Sequence, residues 1–406
     1  MNSAFKKVFL TSFSRYVSTA ISFLVIVMIA RLLGPEGKGI YNTIQVYAGA
    51  AGMLATLSVS RTIFRHSQKA EDQIESVVGS FIIIFIALSF IIPSSVLALY
   101  LAEPVIFENL DVSLLIPLVI IAVLFVAEDY SNYIVTYANR LEAYNSAMVI
   151  FALVLICVTS VGFMAGWGIW APVTGFIFGK LAHLFRNIRE IRKVCHSLLF
   201  KLEHVKIRLK EGLKLHITII GTVMMNHMNI LFMNLYLTVA EVGLYQLAFQ
   251  LINIFLVVTR AANLHFLGRS RTESPETFWE RQNKYIWQIA GLMLIGGSIA
   301  WFLAPVFIPL IFGDEFSGSS RIFQILLLTL PGMVFSDLLT SQWFSRGYFW
   351  SFSLTRIVLG LISCGLNYAL IPHYGMDGLL IGNIAVYALL FLLNFGFQIF
   401  LNRNKN

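Results

Sequence analysis

Six ionised side chains stand inside long apolar stretches of this sequence, and they are of the two types that handle anions and protons. Arg15, Arg260 and Arg356 are three of them, Glu128, Asp129 and Asp337 the others, and Lys180 makes a seventh charge in the same kind of setting. A charge at the middle of a membrane helix costs ~2.5–3.5 kcal/mol even on the lenient insertion scale, so each needs a partner, a wet cavity or a route to the interface. The guanidinium fork donates two parallel hydrogen bonds to one anion and stays charged at any physiological pH, so the three arginines are candidate substrate-binding groups. Burial favours the neutral form of a carboxyl and a nearby arginine favours the charged form, so protonation can switch a pairing. Glu128, Asp129 and Asp337 are accordingly candidate ion-coupling groups for a proton or a sodium ion. Adjacent Glu128 and Asp129 project about 100° apart on a helix and cannot share one partner. The alternative is that Arg15 pairs with Asp129 and Arg356 with Asp337, merely locking helices together.

The elements that must carry these charges are membrane helices. Apolar residues make up 58% of the 406 residues and charged ones 12%, against about 45–50% and 25% in soluble domains. Twelve spans fit the pattern, each long enough at 1.5 Å per residue to cross ~30 Å of hydrocarbon. The first six run over 8–33, 39–60, 76–101, 112–138, 146–166 and 168–186. The second six run over 213–236, 243–267, 284–312, 319–345, 348–371 and 376–401. The first is too long for the apolar core of a cleaved signal and is read as a helix that stays. The fold class expected is therefore an all-α integral membrane protein with two six-helix lobes.

Basic residues in short loops stay on the cytoplasmic side. With the N-terminus inside, 22 of the 29 Lys and Arg fall on cytoplasmic segments and only Arg31, Lys38 and Arg321 on outer loops. Both termini are expected in the cytoplasm, and the net charge of +8 is explained by topology, which removes the main support for nucleic acid as a partner. Arg15, Arg260, Arg356 and Asp337 then lie roughly 10–12 Å from the inner ends of their helices, with Glu128 and Asp129 slightly deeper and Lys180 near enough to the inner end to snorkel. Between the lobes, 187–212 reads as a cytoplasmic amphipathic linker, with Leu198, Leu202, Val205 and Leu209 on one side and Lys201, His204, Arg208 and Glu211 on the other. This sets the expected organisation as 1–186, 187–212 and 213–406.

The lobes repeat. GKGIY at 37–41 matches EVGLY at 241–245, and Arg65 matches Arg269, at an offset of 204. Arg140 pairs with Arg346, and GIWAPVTG at 168–175 matches GMDGLLIG at 375–382. Copies separated by six helices enter the membrane from the same side, so the repeat is parallel, as in transporters whose halves rock around a central site. The plainer reading is that these glycines let helices approach closely.

ARLLGPEGKGIY at the end of the first span, EVGLY before the eighth, and LNYALIPHYGMDGLLIGNIAV across the last two together resemble the polysaccharide transporter branch of the multidrug/oligosaccharidyl-lipid/polysaccharide (MOP) exporter superfamily, which includes the Wzx O-antigen flippases. The resemblance covers most of the chain in order. It implies a MATE-like fold and a flippase in the bacterial inner membrane that moves undecaprenyl-diphosphate-linked oligosaccharide for O-antigen, capsule or exopolysaccharide, among membrane lipids and beside a polymerase and ligase of the same pathway. Arg15, Arg260 and Arg356 would then hold the anionic headgroup. Where many relatives carry an acid in the seventh helix, this sequence reads NHMNILFMNLY, with Asn226 and Asn229, so no coupling role transfers there. Asn132, Asn226, His227, Asn367 and Asn383 either line a glycan path or make interhelical hydrogen bonds.

Other classes fit less well. A lipid II flippase would need the same cationic wall, whereas an exporter of cationic drugs would need an anionic or aromatic one. A glycosyl polymerase would need a sizeable outer loop, and the longest polar segment here is inside. The sequence has no GxxxxGK[ST] and no HExxH, and Cys157, Cys195 and Cys364 are too dispersed for a zinc or redox pair. No enzyme, metal or cofactor is expected beyond coupling to H+ or Na+.

Overall fold

The structure, a computed structural model, describes residues 3–64, 74–269 and 275–403; among these it contains twelve α-helices, short 3-10 turns and no strand. The helices are α1 (Ser3–Ala55), α2 (Ile74–Ala102), α3 (Leu115–Tyr137), α4 (Leu141–Met164), α5 (Trp170–Ile191), α6 (Leu202–Asn226), α7 (Met228–Tyr236), α8 (Val239–Arg269), α9 (Pro275–Phe312), α10 (Ser317–Leu327), α11 (Leu330–Ser345) and α12 (Phe349–Arg403).

Eight helices among the described residues are long and apolar enough to cross a membrane, and nine if α10 and α11, which meet at 54°, form one bent span. Two of the nine are double. Helix α1 breaks at Gly34, with φ 65°, and α12 breaks at Gly375, with φ 56°. Both are left-handed backbone positions that an L side chain resists, and each has a proline close before or after it, Pro35 and Pro372. Helix α5 completes the twelve. It falls short on hydropathy because its buried face is polar, with Lys180, His183, Asn187 and Glu190 recurring at helical spacing. The outer loops expected at 34–38 and 372–375 are in fact single-residue breaks between nearly continuous helices.

Contacts divide the chain into two units, one of 1–33 with 40–223 and the other of 34–39 with 224–406. In the first unit α3 is the central element, packed on α2, α5 and the 3-10 turn at 59–64, while α4 lies along α5. Gly52 admits the Phe125 side chain, whose Cβ would lie 2.7 Å from any Cβ added at Gly52. In the second unit α11 packs on α8 and α12, α10 on α8 and α9, and α7 on α12.

The central glycines of the twin pentapeptides, Gly39 and Gly243, meet inside the second unit. A Cβ on Gly39 would sit 2.0 Å from the Val239 carbonyl oxygen, and one on Gly243 would sit 1.9 Å from that of Pro35 and 3.0 Å from the Gly39 nitrogen. The repeated glycines thus form a reciprocal crossing of two backbones that no other residue can make. Lys38, expected in an aqueous outer loop, is instead fully buried there and donates from Nζ to Gln250 Oε1 at 2.9 Å.

The segment between the six-span sets also differs from expectation. Helix α5 continues to Ile191, and α6 starts at Leu202 and runs without interruption into the membrane-length helix. Val205 is buried as the apolar periodicity requires, but Leu198 and Leu202 are exposed and Arg208, placed on the polar side, is buried. His204 reaches Ser76 across to α2. The start of α6 therefore buries Val205 and Arg208 and ties His204 to α2, while Leu202 stays exposed.

Candidate functional site

Each unit carries one station of charged side chains, built by its α3 or α11 helix. In the first unit, Glu128 and Asp129 diverge as their adjacency demands. Glu128 forms an ion pair with Lys180 of α5 and lies 3.6 Å from His183 Nδ1. Lys180 does not snorkel: it is buried, with its ammonium 5.2–5.6 Å from the ring centres of Phe125, Phe151 and Phe176. Three aromatic faces and a carboxylate replace the water it gave up. His183 Nε2 is 2.8 Å from Asn132 Oδ1, which also accepts from Asn187 Nδ2 at 2.8 Å, and Asn187 reaches Ser131 Oγ at 3.1 Å. Asp129 points elsewhere and accepts from Ser60 Oγ at 2.6 Å. The Arg61 guanidinium acts electrostatically on Asp129 and hydrogen-bonds Tyr133.

In the second unit, Asp337 of α11 occupies the corresponding place. It accepts from Thr259 Oγ1 at 3.2 Å and lies 3.8 Å from Arg260 Nε. Arg260 also donates to Asn253 Oδ1 at 2.9 Å and keeps 55% of its side chain exposed. Arg356 donates to Ser336 Oγ, rests over the Phe352 ring at 5.1 Å and feels the charge of Asp337. Arg260, Arg356 and Asp337 are thus brought together. The pairing of Arg356 directly with Asp337 does not form; Arg260 holds the carboxylate and Arg356 holds its sequence neighbour, Ser336.

Arg15 lies on α1 with its side chain outside the described residues, so neither its cargo role nor its pairing with Asp129 is tested; Arg65, one member of the repeat, lies outside them altogether. A likeness between the two units shows in another dipeptide. Ser60-Arg61 and Thr259-Arg260 are each a hydroxyl followed by an arginine, and each serves the aspartate of its own unit. The signal was legible as hydroxyl-Arg near a span end, but its offset of 199 differs from that of the glycine repeat.

The buried asparagines resolve towards helix contacts. Asn229 Oδ1 accepts from Asn367 at 2.7 Å, Asn229 Nδ2 donates to Asn383 at 2.9 Å, and Asn383 donates to Tyr245 Oη at 3.0 Å. Tyr387 Oη donates to Asn226 at 3.1 Å. These bonds join α6, α7, α8 and α12 through neutral groups only. No cluster of three or more metal-ligating side chains occurs among the described residues.

The profile of the family described as "Polysaccharide biosynthesis protein" matches residues 4–264. No curated protein matches the sequence. Among solved structures, the lipid II flippase MurJ in an inward closed conformation superposes with a TM-score of 0.77 at 16% identity, covering 95% of this chain and 86% of that one. An inward-facing multidrug resistance MATE transporter of the MOP superfamily gives a TM-score of 0.70 at 15% identity, with 95% and 96% covered. A MOP superfamily transporter from Pyrococcus furiosus gives 0.56 at 18% identity, with 98% and 96% covered. At such identities these likenesses establish the fold, which is that of the MOP transporters. The chain also carries several helices long and apolar enough to cross a membrane, as a multi-pass membrane protein does, and with the profile spanning well over half its length it belongs to the polysaccharide biosynthesis protein family.

Proposed function

We propose that the protein translocates an oligosaccharide linked to undecaprenyl diphosphate across the bacterial inner membrane by alternating access, with both termini in the cytoplasm. The observation that carries this reading is the charge of the second station: two guanidinium groups stand near one carboxylate, Arg260 at 3.8 Å from Asp337 and Arg356 within its electrostatic reach. An excess cation over an aromatic ring, with fork donors to spare, suits a diphosphate. Arg15 is the third arginine of the set. Asp129 and Asp337 are the better ion-coupling candidates, since Glu128 is already matched by Lys180. Such a protein works beside a polymerase and a ligase but forms and breaks no bond itself.

Deletion should deplete surface polysaccharide and cause the lipid-linked intermediate to accumulate, and Arg260→Ala or Arg356→Ala should do so partially while the protein still inserts. Normal surface glycan in both variants would remove the arginines from the role. Lipid II is the second reading, favoured by the superposition on its flippase, because it presents the same diphosphate. Complementation of strains lacking each flippase separates the two.

A further inference from the structure

The loop joining α3 to α4 and the far end of α5 enclose a cavity of about 390 Å3 in the first unit, separate from the charged station. Its polar lining is Asn139, Arg140, Glu142, Arg186, Glu190 and Lys193. Lys193 Nζ and Arg186 Nη1 both donate to one oxygen of Glu190, at 2.7 and 2.6 Å. This clamp fixes three charges on one wall. Arg140 and Glu142 make the other wall; both are exposed, and among the described residues neither side chain has a hydrogen-bond or ion-pair partner. The lining therefore holds three cations and two carboxylates, interleaved.

That pattern selects its ligand. A simple phosphate or diphosphate would be attracted by Arg140, Arg186 and Lys193 but would meet two carboxylates within the same small space. A zwitterion with phosphate and ammonium a few bonds apart satisfies both signs. The setting supplies the rest. The basic loops place this end of α5 at the membrane boundary, and the residues leading to it, Phe178, Leu181 and Phe185, expose an apolar stripe at 54%, 42% and 72%. Such a stripe accommodates acyl chains while a polar group is held at its end.

We propose that this cavity is a binding site for the phosphoethanolamine headgroup of a membrane phospholipid, with Arg140 and Arg186 on the phosphate and Glu142 and Glu190 on the ammonium. The site pins the start of α4 to the end of α5 through a lipid and is independent of the cargo reading. A primary ammonium donates three hydrogen bonds to the carboxylates, which a quaternary choline cannot, so discrimination between these two headgroups is its signature.

The test is native mass spectrometry of the delipidated full-length protein titrated in detergent with phosphatidylethanolamine, phosphatidylcholine and phosphatidylglycerol of identical chains. Phosphatidylethanolamine should bind at about tenfold lower concentration than phosphatidylcholine, the equivalent of one charge-assisted hydrogen bond. Glu142→Gln should abolish most of the difference, and Arg140→Ala should weaken both lipids alike by loosening the phosphate; both positions are exposed. Equal binding of the choline lipid, stronger binding of the glycerol lipid, an undiminished preference in Glu142→Gln, or unchanged binding of both lipids in Arg140→Ala would overturn the proposal. Water-soluble glycerophosphoethanolamine and inorganic phosphate serve as competitors: neither should displace the lipid at equimolar concentration, and displacement would assign the site to a soluble phosphate instead.

Discussion

The two charged stations start from the same plan and end with different balances. Each has an aspartate on the helix that organises its unit, and each aspartate is served by a hydroxyl-arginine dipeptide. The first unit then adds a second carboxylate, Glu128, and encloses its counter-ion Lys180 among three phenyl rings. The second unit adds a second guanidinium and leaves Arg260 more than half exposed. One station is a closed structural pair, and the other carries surplus positive charge with access. Two stations of one plan thus differ by single side chains, one with its lysine matched and enclosed, the other with a surplus and partly exposed guanidinium.

Removing one partner of the closed pair is the most damaging test of that contrast. Lys180→Met should cost about 3–5 kcal/mol by stranding Glu128, read as a lower unfolding midpoint in detergent and a lower yield. Adding Glu128→Gln should restore most of it. A single variant as stable as the parent would show that the lysine is not a needed counter-charge.

The next largest effect belongs to the open station. Arg356→Ala and Arg260→Ala should each weaken retention of the diphosphate lipid about tenfold or more, with Arg→Lys in between because charge survives and the fork does not. The refolded Glu128→Gln/Lys180→Met pair should transport normally. If it fails as badly as the arginine variants, the two stations do not differ in role.

Asp129→Asn and Asp337→Asn sharpen the comparison further. Each should change stability by only about 1 kcal/mol, yet abolish the response of transport in vesicles to an imposed proton or sodium gradient. A full response in both variants would exclude coupling through these groups.

The smallest effect lies beyond the span, at the Glu190 clamp. Hydrogen bonds from Lys193 and then Arg186 lower the Glu190 carboxyl from its ordinary 4.5 to about 2. A depressed folded-state value means that the clamp's contribution is complete above 4.5 and lost only as pH falls towards 2. Glu190→Gln should therefore cost about 0.2–1 kcal/mol, constant from pH 5 to 8 in thermal melts. A cost that varies across that range would contradict the ion pairing.

How much of this could be read beforehand depends on the range of the interaction. The charges were conspicuous because a polar residue in an apolar run is rare, and Glu128, Asp129, Arg260 and Arg356 fall within helices of membrane length, with Asp337 in the bent pair of α10 and α11. Their partners were less accessible. Lys180 was expected to snorkel because its distance from the helix end is a local property, whereas three phenyl rings from α3, α4 and α5 are not. Lys38 looked like a loop residue because GPEGKG reads as a turn, but one left-handed glycine suffices for the break and leaves the lysine inside.

Apolar run length and the placement of lysines and arginines fixed the twelve spans, the all-helical class and the sites of charge, since the cost of exposing backbone or charge to hydrocarbon is paid locally. Which charge neutralises which, that the twin glycines cross one another, and that one unit's station is balanced while the other's is not were settled only by packing. Those outcomes depend on contacts between residues 20 to more than 200 positions apart, and no local preference encodes them.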